Sequence, residues 1–151
     1  MKRKKFGLSS PKHITQVPIE LVRLKENSFH IIVKTEIDGV RGDMIIDTGA
    51  SITVIDQNKV AEKTPEIQTN RIQSGSVTGQ IQEVRIFKPA YLKIGNRKFK
   101  NIQLAGIDLQ YVNEMYDEHL KRNVLGLLGC DFCVKHQARI DFKNKRLILH
   151  T

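Results

Sequence analysis

An all-β domain is the fold class this sequence predicts: a closed or nearly closed barrel of seven or more short strands with two small helices. Three observations carry that expectation. Apolar and β-branched residues come in short runs, several with a period of two. Turn dipeptides such as Asp38-Gly39 and Gly95-Asn96 separate the runs, and helical period is confined to a short stretch before residue 121. The 151 residues, 40% apolar and 27% charged, suit one domain that needs neither disulfides nor a structural metal to stand alone.

Residues 1–15 read as a basic flexible arm ending in Ser9-Ser10-Pro11, and residues 16–151 as the folded domain. Val17 to Leu24 alternates Val17, Ile19 and Leu21 against Pro18 and Glu20, and Phe29 to Ile37 is rich in β-branched residues. Asp38-Gly39 supplies the positive φ values of a tight hairpin, from which Val40 to Ile46 returns and runs into Asp47. Gln57 to Glu66 is polar with one proline and is read as a helical turn or no regular element. Ile72 to Phe87 reads as two strands around a glycine-flanked tip, Gly75-Ser76-Val77-Thr78-Gly79. Tyr91 to Ile94 and Lys98 to Leu104 make another hairpin around Gly95-Asn96. Leu109, Val112, Tyr116 and Leu120 share a helical face that Asp108 caps, leaving Glu114, Asp117 and Glu118 on the wet side. A second helix, Asp131 to His136, is entered from Gly129. A last hairpin joins Ala138 to Phe142 with Arg146 to Leu149 through Lys143-Asn144.

The formal net charge of +9 raises the question of nucleic acid, but Lys2, Arg3, Lys4 and Lys5 concentrate much of it in the arm. The nine aromatic residues show no basic-aromatic alternation of the kind that stacks bases. Val124 to Cys130, the longest strongly apolar stretch, falls far short of the roughly 20 residues a membrane helix needs. Gly7 to His13 stands where a signal peptide would carry its apolar region, so the expected location is cytoplasmic, and two cysteines fit a reducing compartment.

The sharpest chemical feature is Met44-Ile45-Ile46-Asp47-Thr48-Gly49-Ala50-Ser51, an apolar strand that ends on a carboxylate followed by small residues. Such a carboxylate needs donors, which amides of a tight turn through Gly49 and Ala50 can supply. A second segment, Leu127-Leu128-Gly129, follows about 75 residues on and leads into a helix. In sequence, order and spacing the two segments resemble the retropepsin-like aspartic proteases, most of all their bacterial single-domain members. The resemblance covers roughly Phe29 to Leu149.

That resemblance implies a closed barrel of six to eight strands with a flap hairpin. It implies that Asp47 is the catalytic aspartate and that the Thr48 hydroxyl reaches the partner's backbone. Gly49 is where substrate approaches, with Ala50 and Ser51 as further support. It places the flap, which contacts substrate, at Gly75, Ser76, Val77, Thr78 and Gly79, and a crossed-strand loop at Leu127, Leu128 and Gly129. Catalysis in the family uses two aspartates sharing one proton, and this chain has a single Asp-Thr-Gly. The implied enzyme is therefore a homodimeric endopeptidase acting on peptide or protein substrates, with no cofactor, metal or membrane. Ser51 and Cys130 stand where retroviral members usually carry an acidic and a basic residue that pair near the dimer interface. The alternatives are a catalytically silent module that binds extended peptides and, less favoured, a basic nucleic-acid-binding barrel.

Cys130-Asp131-Phe132-Cys133 has redox and zinc spacing, but His136 makes only a third ligand and no parallel α/β pattern surrounds the pair. Both cysteines read as packing residues. His13, His30, His119, His136 and His150 show no ligand spacing, so no metal site is assigned.

Overall fold

A computed structural model describes residues 13–67 and 84–150 of the chain. The elements run β1 (Ile14–Pro18), β2 (Glu20–Lys25), β3 (Ser28–Ile37), β4 (Val40–Ile46), β5 (Val54–Asp56), β6 (Glu66–Ile67) and β7 (Arg85–Phe87). They continue with β8 (Leu92–Ile94), β9 (Arg97–Phe99), β10 (Leu104–Ile107), α1 (Gln110–Leu120), β11 (Val124–Leu128), α2 (Cys130–Lys135), β12 (Arg139–Asp141) and β13 (Arg146–His150). A 3₁₀ turn, Gln57–Lys59, follows β5 and resolves the ambiguity of that polar stretch. The tip at Gly75 to Gly79 and most of the expected strand pair around it lie outside the described residues.

Ten strands form one curled sheet in the order β6-β7-β10-β5-β11-β4-β3-β8-β9, with β2 also paired to β3. A second sheet has the order β1-β13-β12. Among the described residues no pairing joins β6 to β9, and the sheet they form is a curled half-barrel of short strands, all-β as expected. The subdivision has local causes. Pro18 has no N–H for a ladder, and there the single strand expected over Val17 to Leu24 splits. β1 pairs with β13 while β2 pairs with β3, and Ile19 N donates across the break to the Lys145 carbonyl at 3.0 Å. Ile14 and Thr15, grouped with the arm by sequence, sit in β1 opposite His150 and Leu149. Asn101 takes a left-handed φ of 56°, which separates β9 from β10 where one strand was expected.

The core explains how two sheets make one body. Met44 of β4, Leu92 of β8, Leu125 and Leu128 of β11, and Leu147 and Leu149 of β13 are almost wholly buried in one cluster. Each contributes on the order of 1.5–3 kcal/mol by leaving water. A second cluster sits under α1, where Tyr116 and Leu109 pack on Val22, Ile32 and Ile45. The expected apolar face of that helix is therefore a core face, and Glu114, Asp117 and Glu118 are exposed. The cap position itself is Leu109, while the Asp108 carboxylate accepts from Gln110 N at 2.9 Å. No helix is long and apolar enough to cross a membrane among the described residues.

Candidate active site

Asp47 stands one residue beyond β4, whose last three residues are buried. Its amide donates to the Leu128 carbonyl at 3.0 Å, so the carboxylate is aimed by the pairing of β4 with β11. That pairing is parallel, Leu127 against Ile45 and Leu128 against Ile46. On its other side β11 runs antiparallel to β5, Gly126 against Ile55 and Leu127 against Val54. The chain from β4 to β5 thus loops around the end of a strand that arrives some 80 residues later.

Two glycines make the threading sterically possible. A Cβ at Gly126 would sit 2.1 Å from the Val54 carbonyl oxygen, and one at Gly129 would sit 2.5 Å from the Ile52 carbonyl oxygen. Both obstacles are backbone, so neither can step aside cheaply.

The loop is closed on itself and tied to α2. Ala50 N donates to the Asp47 carbonyl at 3.1 Å, and Gly49 N donates to Asp47 Oδ1 at 2.9 Å. Among the described residues no other donor meets the carboxylate, which is half-buried at the loop's mouth. Thr48, Gly49 and Ser51 are exposed; Ala50 is half-buried and uses both of its backbone groups. Its carbonyl accepts from Cys130 N at 2.8 Å, and the Cys130 thiol donates to the Thr48 carbonyl at 2.8 Å. The two cysteines therefore differ. Cys133 packs against the core, where burial pushes its thiol pKa up, whereas Cys130 joins the aspartate loop instead of packing.

Leu127, Leu128 and Gly129 come together with Asp47, and Ala50 and Cys130 close the contact between the two segments. The tip at Gly75, Ser76, Val77, Thr78 and Gly79 falls outside the described residues. Among those residues no group of three or more His, Cys, Asp or Glu side chains is placed to hold a metal ion.

Residues 33–132 match a family model described as aspartyl protease. The chain belongs to the aspartyl protease family. The matched span runs from β3 into α2 and so contains both the aspartate loop and the strand threaded through it. A retropepsin-like aspartic protease from Rickettsia conorii shares the fold, with a TM-score of 0.54 over 92% of each chain at 19% identity. No curated protein matches the chain.

The supporting residues of this aspartyl protease chain went unnoticed in its sequence. Thr53, 1% exposed, accepts from Gly129 N at 3.0 Å and donates to Asp131 Oδ1 at 2.7 Å, which also accepts from Phe132 N. One hydroxyl thereby joins the far side of the aspartate loop to the start of α2. A hydroxyl in the apolar run Ile52-Thr53-Val54 was the available signal, because a buried one demands partners. Asp56, equally buried, accepts from Asn58 N and Nδ2, Leu109 N and Asn113 Nδ2. Asn113 also holds both backbone groups of Val124, so α1 is pinned to β5, which leaves the loop, and to β11, which threads it.

Proposed function

We propose that the chain is a homodimeric aspartic endopeptidase whose site is completed by Asp47 of each subunit. The observation that carries this reading is the Asp47 carboxylate. One oxygen is held by Gly49 N, and the loop that bears it is locked around β11. A single carboxylate cannot be acid and base at once, so the second must come from another copy of the chain. In the dimer the protonated carboxyl polarises the scissile carbonyl while the ionised one takes a proton from the attacking water. The tetrahedral intermediate then collapses as the leaving nitrogen is protonated. Thr48, exposed and with no hydroxyl partner among the described residues, is free to bond across the two-fold axis. Gly49 leaves room for substrate backbone, and the role of contacting substrate from a flap is assigned to Gly75 to Gly79, which lie outside the described residues. In a cytoplasmic setting Cys130 and Cys133 remain thiols, the form in which both are found here.

Digestion of a peptide library, with and without pepstatin, by wild type and by Asp47→Asn tests the reading. The amide is nearly isosteric with the acid but is neither base nor acid, so the variant should lose hydrolysis and keep its fold and dimer. Wild-type cleavage rates in Asp47→Asn would remove Asp47 from the mechanism. Peptide binding without cleavage by wild type at high concentration would instead make the chain a silent binding module.

A further inference from the structure

A cleft of about 460 Å³ opens beside the β3–β4 turn, walled by Lys63, Lys88, Lys100, Pro65, Pro89 and Tyr91. It lies at the opposite end of β4 from Asp47, about 23 Å along the strand at roughly 3.3 Å per residue. The cleft is built around a buried carboxylate. Asp38, 3% exposed, accepts from Thr64 Oγ1 at 2.7 Å, Ala90 N at 2.9 Å and Tyr91 N at 3.2 Å. It thereby staples three separate stretches of chain into one rim. Three neutral donors hold that carboxylate and it makes no direct ion pair with the lysines, so its single charge offsets only part of theirs.

Nothing else cancels them. Among the described residues none of Lys63, Lys88 and Lys100 enters an ion pair, and Asp38 is the one carboxylate lining the cleft. Glu36, close by, is already engaged by the Tyr91 hydroxyl at 2.7 Å and by Arg41 at 3.2 Å. The cleft therefore presents three unpaired ammonium groups against one buried carboxylate, around apolar proline walls. We propose that it is a docking surface for an acidic, extended segment of a protein substrate, lying outside the stretch that enters the aspartate site. That the occupant belongs to a substrate rests on the peptidase reading above. Its acidity rests on the cleft alone. Nucleic acid fits less well, because a single aromatic ring lines the cleft, Tyr91, and one of its faces is already covered by the Lys98 ammonium 4.2 Å from its centroid, which leaves no row of rings for successive bases.

Fluorescence anisotropy on the full chain with fluorescein-labelled octaglutamate tests the proposal. Octaglutamate binds at low salt, weakens as salt is added, and outcompetes octaglutamine. The variant Lys63→Gln/Lys88→Gln/Lys100→Gln loses about tenfold in affinity, as three rim charge pairs predict. A variant with Lys2, Arg3, Lys4 and Lys5 all changed to Gln stays within about twofold of wild type. Three results would each overturn the proposal: no octaglutamate binding, a loss in the arm variant as large as in the cleft variant, or octathymidylate binding tighter than octaglutamate through the same three lysines. The readout is binding without hydrolysis, so an inactive protease and an absent docking surface give different results.

Discussion

Thr53→Val asks whether one buried hydroxyl holds the aspartate loop in place. The change is close to isosteric, so it removes two hydrogen bonds without opening a cavity. Gly129 N, itself buried, loses its acceptor, and an unsatisfied buried amide costs about 1–3 kcal/mol. Asp131 loses a donor at 2.7 Å but keeps Phe132 N and is exposed, so that loss is screened to about 0.5–1 kcal/mol. Together the expected destabilisation is about 1.5–4 kcal/mol, or a fall of about 3–16 °C in Tm for a domain of this size. Denaturant unfolding at fixed protein concentration reads the first figure, and a thermal scan the second. Thr53→Ser keeps the hydroxyl and should recover most of the loss. Under saturating folding conditions kcat/KM of Thr53→Val should still fall, because the loop bearing Asp47 is no longer tied to α2. A valine variant within about 0.5 kcal/mol of wild type, or a serine variant as unstable as valine, would refute the role given to the hydroxyl.

Three further outcomes follow from the same geometry. Gly126→Ala should yield little folded protein, since its Cβ would lie 2.1 Å from the Val54 carbonyl oxygen; a soluble variant with wild-type circular dichroism would contradict the threading of β11. Specific activity should rise with enzyme concentration through the dimer dissociation constant, and strict proportionality over several decades in a demonstrably monomeric sample would exclude a shared site. His136 is buried with Nδ1 on the His150 carbonyl and, among the described residues, no partner at Nε2, and burial is the main cause holding its pKa below the ordinary 6.5. The unfolded chain therefore takes up this proton first. Its stabilising contribution is complete above about pH 6.5 and is lost as pH falls toward the folded-state value. His136→Gln should have a shallower fall in unfolding free energy than wild type between about pH 6.5 and 5, and an unchanged slope would sink the assignment.

What the sequence determined by itself is what depends on near neighbours along the chain. Asp38-Gly39 has the left-handed backbone its hairpin requires, with φ of 47° and 90°, because only a few residue types tolerate that turn. Leu109, Val112, Tyr116 and Leu120 recur at helical spacing and form the buried side of α1. The Asp-Thr-Gly turn is local as well: Gly49 N reaches Asp47 Oδ1 across two residues.

Tertiary structure decided what depends on chain meeting chain across long separations. Pro18 locally marks a break in a ladder, but nothing local says that the chain passes there from one sheet to the other, since Val17 and Ile19 are both apolar and both buried. Thr53 drew no reading from sequence and Cys130 read as a packing residue, because their partners, Asp131 and the Thr48 carbonyl, lie 78 and 82 positions away. The same distance hid the reason for Gly126 and Gly129. Period-two patterning says that a residue is buried or exposed; it does not say which backbone will press against it. Here the Val54 and Ile52 carbonyls press within 2.5 Å of where a side chain would begin, and that contact exists only once β11 has entered between β4 and β5.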